Sequence, residues 1–252
     1  MAVAAATPPL LDAPTATDAV FEKLIADIVS GTYAAGARLP AERELSRMLG
    51  ASRPTLREAL RKLHEWNLVE PRRGSGVVVR PYRDWSFEVV GAYLRYGKPA
   101  RGQPTLSRML VDLFAMRRAV MLEVIRLIAP RIGPGGTLGA RAAMARAWLV
   151  RDQPSYARED FDVMRRLAEA AQFTPGLWML NRIAALWLDA ADAVSFAVRA
   201  PDDYVAAHTA FFDLLEAGDG AGAIQRMAAY LDRHDAALVT ALGPPGATEE
   251  QP

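Results

Sequence analysis

The chain has 252 residues, about half of them hydrophobic, with a net charge of +1. That length suits one to two domains, and that apolar content is enough to bury a core rather than remain disordered. Cysteine is absent, which excludes a disulfide framework, thiol catalysis and a thiolate zinc site. No run of 18 apolar residues occurs, so no transmembrane helix is expected.

The opening stretch, MAVAAATPPLLDAPTATD, lacks the basic n-region of a signal peptide and is rich in Ala, Pro and Thr. Residues 1–17 are expected to be an unstructured lead to a soluble, cytoplasmic protein. Asp18 is placed to cap a first helix running to about Ser30, with Val20, Leu24, Ile25, Ile28 and Val29 on one face. Gly31 ends it. Pro40 starts a second helix, AERELSRMLG, in which Leu45, Met48 and Leu49 are expected to face inward. Gly50 and Ala51 form a turn. Ser52 caps a third helix, from Arg53 to about Trp66, whose core face is Leu56, Ala59, Leu60 and Leu63. Two short strands, Leu68–Glu70 and Val77–Arg80, flank the tip Pro71-Arg72-Arg73-Gly74-Ser75-Gly76.

Beyond Pro81 the pattern is helical only, over roughly 86–96, 105–131, 137–151, 155–172, 175–199, 201–217 and 219–241. Gly133-Pro134-Gly135-Gly136 is a break, and Pro154, Pro175 and Pro201 sit where helices begin. The fold expected is mainly α: an N-terminal winged helix-turn-helix over 18–80, a linker with a short helix over 81–104, and an all-α bundle of six to seven helices over 105–242. The final stretch, 243–252, is expected to be a disordered tail.

Charge is concentrated. Residues 38–80 hold ten Lys or Arg against five Asp or Glu, so this block carries +5 and the remainder −4. A basic block on an otherwise acidic protein suits a polyanion, although a solvated helix face would carry similar charge. A short helix with Ser52, Arg53, Pro54, Thr55 and Arg57 at its N-terminus has the form that enters a DNA major groove. Arginine can contact guanine bidentately, while Ser, Thr and a helix N-terminus suit phosphates. Arg43 lies at the start of the preceding helix, and Arg72, Arg73 and Gly74 form a wing tip suited to the minor groove. The competing arrangement pairs these arginines with Glu42, Glu44 and Glu58.

Gly36-Ala37-Arg38-Leu39-Pro40-Ala41-Glu42-Arg43-Glu44-Leu45 and Ser52-Arg53-Pro54-Thr55-Leu56-Arg57-Glu58-Ala59-Leu60 resemble the N-terminal domain of the GntR family of bacterial transcriptional regulators. The resemblance spans about 18–80. It implies a winged helix that binds double-stranded DNA, at palindromic operators, as a homodimer. By the family pattern Arg43, Arg53 and Arg73 would contact bases, with Ser52, Thr55, Arg57 and Gly74 at or near the backbone and groove.

Residues 105–241 resemble, more weakly, the FCD domain of the FadR branch, which implies an effector-binding and dimerising bundle. Many such domains hold a divalent metal through Asp-x-x-x-His and two further histidines. Here Asp160 matches the Asp, but Met164 stands where the first His would be. His208 matches the next, and Tyr230 replaces the last. No metal or other cofactor is expected, and His234, one turn beyond Tyr230, is a poor substitute ligand. Asp160 to Ala168 and the stretch led by Trp85 are similar to the acyl-CoA-sensing, metal-free members of the FadR branch. The effector favoured is therefore a fatty acid or acyl-CoA, in an apolar tunnel with polar anchors. Candidate pocket residues are Met116, Arg117, Asp160, Met164, Trp178, Arg182, Trp187, His208, Phe212 and Tyr230. A small carboxylate held by Arg117 or Arg182 is the alternative, as is an architectural protein with no effector.

Catalysis is not expected. The only lysines are Lys23, Lys62 and Lys98, none in the helical core after residue 105, and the three histidines lie near no nucleophile motif.

Overall fold

The computed structural model describes residues 15–74, 76–99, 103, 105–193 and 199–241. The expected lead up to residue 14, wing residue Ser75, parts of the linker near 100–104, residues 194–198 of the expected helix 175–199 and the expected tail lie outside the described residues. The chain is mainly helical and divides into two compact units, 1–98 and 99–252.

In the first unit α1 spans Ala16–Val29. Its N-cap is Thr15 rather than Asp18. The Thr15 hydroxyl accepts from the Asp18 amide at 3.1 Å, and the Asp18 carboxylate accepts from the Thr15 amide. This capping box satisfies two otherwise orphaned donors, which moves the start of the helix three residues upstream. Lys62 adds a 2.7 Å bond to Asp18, and with Thr15 it holds the Asp18 carboxyl down at about 2.

Helix α2 spans Glu42–Leu49 and α3 spans Arg53–Glu65. Gly50 between them is in the left-handed region at φ 61, which a bulkier residue would adopt only with strain. Leu24, Ile25, Leu45, Leu56 and Leu63 form the buried centre where α1 crosses α3. Met48 is an exception to the expected inward face. It is 57% exposed, because Leu45 and Ser46 take the buried positions of its helix while Met48 falls on the outer flank.

Strand β1, Val69–Arg72, pairs antiparallel with β2, Gly76–Val79, so the ribbon is longer at its tip than the sequence suggests. Pro71 sits opposite Val77 within it, tolerated because a two-stranded ribbon leaves one edge free. Residues 82–89 form two single 3-10 turns, and α4, Val90–Tyr96, packs on α1, where the Tyr96 hydroxyl donates to Glu22 at 2.7 Å.

The second unit holds α5 (Leu106–Ile128), α6 (Leu138–Leu149), α7 (Tyr156–Ala170), α8 (Thr174–Ala193), α9 (Tyr204–Glu216) and α10 (Gly220–Ala241). Helix α7 packs on α6 and α8, and α10 packs on α5 and α9. Ile125, Ile128, Leu167, Tyr204, Phe211 and Phe212 are fully buried at the centre. Among the described residues no helix is long and apolar enough to cross a membrane.

Candidate DNA interface and effector cavity

Two regions carry chemistry, one in each unit. In the first, the Ser52 hydroxyl accepts from the Thr55 amide at 3.2 Å and lies 2.8 Å from the Thr55 hydroxyl. This cap fixes the N-terminus of α3, and Arg53 and Pro54 open the helix. Burial of Leu56, Ala59, Leu60 and Leu63 turns Arg53 and Arg57 to solvent.

The arginines separate by partner. Arg57 Nε bonds Glu42 at 2.9 Å, Arg61 bonds Glu58 at 3.0 Å and also pairs with Glu65, and Arg72 bonds Glu70 at 2.6 Å. Among the described residues Arg43, Arg53 and Arg73 are exposed and make no ion pair. Those three guanidiniums are charged and unneutralised at the start of α2, the start of α3 and the wing tip. Gly74 beside Arg73 has φ 74, which turns the chain at the tip.

Two further cations were not singled out by sequence reasoning. Arg38 lies across the ribbon, bridged to Val78, with its guanidinium close enough that a Cβ on Gly76 would sit 3.2 Å from its Nε. Arg47, in the last turn of α2, is also exposed and makes no ion pair among the described residues. Both belong to the basic block, which was the available signal.

In the second unit a cavity of about 80 Å³ opens between α5, α7, α8 and α10. Its walls are mostly apolar, with Leu110, Leu113, Phe114, Phe161, Trp187 and Leu238 among them. Arg117, Tyr156, Asp160 and His234 supply its polar groups. A smaller adjoining space shares Arg117, Asp160 and His234 and adds Met164, His208 and Tyr230.

Of the residues expected there, Arg117, Asp160, Met164, Trp187, His208 and Tyr230 line these spaces. Met116, Trp178 and Arg182 do not. Met116 and Trp178 are 40% and 69% exposed, and Arg182 is also on the outer surface, because Leu113 and Arg117 on α5, and Leu180 and Trp187 on α8, take the inward phase. Phe212 is buried in the core against Phe211 and His208, behind the cavity rather than on its wall. Tyr156 and Phe114 were missed; both are aromatic residues whose helical phase only the packing reveals.

The polar end is a network. The Tyr204 hydroxyl donates to Asp160 at 2.8 Å. His208 Nδ1 lies 2.9 Å from the Tyr204 carbonyl, which can only accept, so Nδ1 carries the hydrogen and Nε2 is left as an acceptor. Burial lowers the His208 pKa, opposed by Asp160. Burial, together with the Arg117 charge, pushes His234 down to about 4. Both imidazoles are therefore neutral near pH 7. Burial and the Asp160 charge push the Tyr156, Tyr204 and Tyr230 hydroxyls up, so all three stay protonated.

Arg117 pairs with Asp235, and its guanidinium lies 5.6 Å from the ring centres of both Phe114 and Trp187. Its Nε is buried without a hydrogen-bond partner. Burial raises the Asp235 pKa against the pull of Arg117.

The metal of related bundles does not fit this set. Asp160 and His208 are retained, but a thioether and a phenol occupy the other two positions. Among the described residues no group of three His, Cys, Asp or Glu converges.

A capped recognition helix, a preceding short helix and a basic two-stranded wing define the winged helix-turn-helix class of DNA-binding proteins, here joined to a helical bundle with an internal cavity. Residues 16–79 match the family profile of bacterial regulatory proteins, gntR family, and residues 112–233 match the FCD domain. The chain thus belongs to the gntR-family regulators that carry an FCD domain.

Over 64 residues it is 45% identical to the HTH-type transcriptional regulator Mce2R of Mycobacterium tuberculosis, covering 25% of this chain and 27% of that one. Over 112 residues it is 38% identical to an uncharacterized HTH-type regulator of the same species, covering 44% and 43%. The chain thus matches well under half the length of these curated relatives. A solved structure of Lar, which controls the expression of the Listeria monocytogenes agr system, covers 91% of this chain and 99% of its own. Its TM-score is 0.60 at 16% identity, a likeness of fold.

Proposed function

We propose that the protein is a DNA-binding transcriptional regulator acting in the cytoplasm. It binds a palindromic operator as a homodimer, and its DNA affinity is set by a small effector in the α5–α7–α8–α10 cavity. The observation that carries the DNA assignment is the set of three unpaired guanidiniums, Arg43, Arg53 and Arg73, on the recognition elements of a basic winged helix. Arg53 at the N-terminus of α3 is placed for base readout, and Arg57, held by Glu42, is placed for a phosphate. Dimer symmetry would be mirrored in the operator, and effector occupancy would bias one bundle conformation and with it the spacing of the two recognition helices.

The cavity supports an amphipathic carboxylate: apolar walls for the body, Arg117 for the head. This partly open space of about 80 Å³ holds roughly five to eight water-sized groups, below the space a drug-sized ligand fills. A short organic acid fits as the cavity stands, whereas a long acyl chain requires the walls to part.

The test uses an operator selected from random DNA with the full chain. Arg53→Ala should weaken binding by roughly 10- to 100-fold and relax base preference at one position in each half-site. Unchanged affinity together with unchanged base preference would refute the recognition-helix assignment.

A further inference from the structure

Two opposite charges face the same cavity without meeting. Arg117 enters from α5 and Asp160 from α7, and both line the main space and its smaller extension. They form no ion pair with each other. The charge of Arg117 is matched by Asp235, while its guanidinium also lines the cavity. Asp160 accepts from the Tyr204 hydroxyl and, among the described residues, makes no ion pair with any Lys or Arg. Asp235 behind the wall already offsets the Arg117 charge, so the Asp160 carboxylate stands on the cavity wall without a matching cation. The cavity thus offers a ligand the Arg117 guanidinium as donor and the Asp160 carboxylate as acceptor.

This pattern discriminates between ligands. A simple carboxylic acid would satisfy Arg117 but add a second negative charge to a half-buried site that already holds one, which low dielectric makes costly. A simple amine would satisfy Asp160 and bring no acceptor to the Arg117 guanidinium. A zwitterion answers both at no net charge.

We infer that the ligand of this cavity is an α-amino acid with a small apolar side chain. Its ammonium sits at Asp160, its carboxylate at Arg117, and its side chain faces Leu110, Leu113 and Trp187. The volume of about 80 Å³ suits a short ligand, and valine, with about eight heavy atoms, is of that size. The inference rests on the reading of this cavity as the effector site. It adds the amino group as the feature recognised.

The test is calorimetric titration of the full chain with L-valine, with 3-methylbutanoate, which lacks the amino group, and with isobutylamine, which lacks the carboxylate. L-valine should bind at least tenfold more tightly than either analogue. Asp160→Asn, which preserves shape, should abolish that preference and leave 3-methylbutanoate binding equal or stronger. Binding of 3-methylbutanoate as tight as that of valine would overturn the zwitterion while the acid-binding cavity stands. Valine binding unchanged by Asp160→Asn would remove Asp160 from the site. No binding by any of the three would overturn the effector cavity itself, and the inference with it.

Discussion

Protonation of His234 should be a measurable brake on stability in mild acid. Its imidazole stacks on Tyr230 with ring centres 6.0 Å apart, and burial and Arg117 depress its pKa from 6.5 to about 4. Below pH 6.5 the unfolded chain takes up a proton that the folded chain refuses until about pH 4. The contribution is therefore complete above pH 6.5 and is lost progressively down to pH 4. A shift of that size corresponds to about 3 kcal/mol across the window. Other groups also lose stability in acid, Asp18 and Glu216 among them, since their pKa values are lowered in the fold. The informative quantity is thus the difference between wild type and His234→Gln in urea unfolding from pH 4 to 7.5. The variant should be the less stable at pH 7.5, having lost the ring stack, and should fall less steeply with acid, so the gap narrows or reverses by pH 4. Only His64, His208 and His234 occur in the chain, so proton NMR can follow each imidazole directly. Parallel stability curves, or a His234 resonance titrating near 6.5, would refute the reasoning.

Breaking the Glu42–Arg57 pair by Glu42→Gln should change stability by less than about 1 kcal/mol, because both side chains are exposed. It should steepen the salt dependence of operator binding by about one counterion, read from affinities at several salt concentrations. Ser52→Ala removes the cap on α3 and should cost about 1 kcal/mol in chemical denaturation, with weaker operator binding. Arg117→Met leaves the Asp235 carboxylate buried without its partner, which should cost about 3 kcal/mol at pH 8. The Asp235 pKa, already raised by burial, then rises further, so the loss should be relieved in acid, where the carboxyl is neutral; equal destabilisation at pH 4.5 and 8 would count against the pair.

The reading elements were legible because their signals are local. Ser52 before Arg53-Pro54, Gly50 in the turn and the Leu56, Ala59, Leu60 and Leu63 spacing each act within a few residues, and each appears in the fold as read. Where locality failed, a competing contact won. Thr15 and Asp18 cap each other, so α1 starts upstream of the expected site. Met48 has the right residue type for a core but the wrong phase once Leu45 is buried. The cavity was harder to read. Trp178 and Trp187 look equivalent in sequence, and only the packing of α8 places one on the wall and the other in solvent.

By itself, the sequence determined a basic winged helix joined to an all-α bundle, because capping, turn chemistry and helical periodicity are properties of neighbouring residues. It also showed Met164 and Tyr230 at two positions where the family resemblance implies metal ligands, since both are visible as letters. Only the tertiary structure decided which arginines are free. Arg57 and Arg53 lie four apart on one helix, yet Glu42 reaches Arg57 from α2 and leaves Arg53 unneutralised. It also decided that Arg117 and Asp160, from α5 and α7, face one cavity without pairing. Those facts depend on distances between elements remote in the chain, which no spacing rule along one helix can supply.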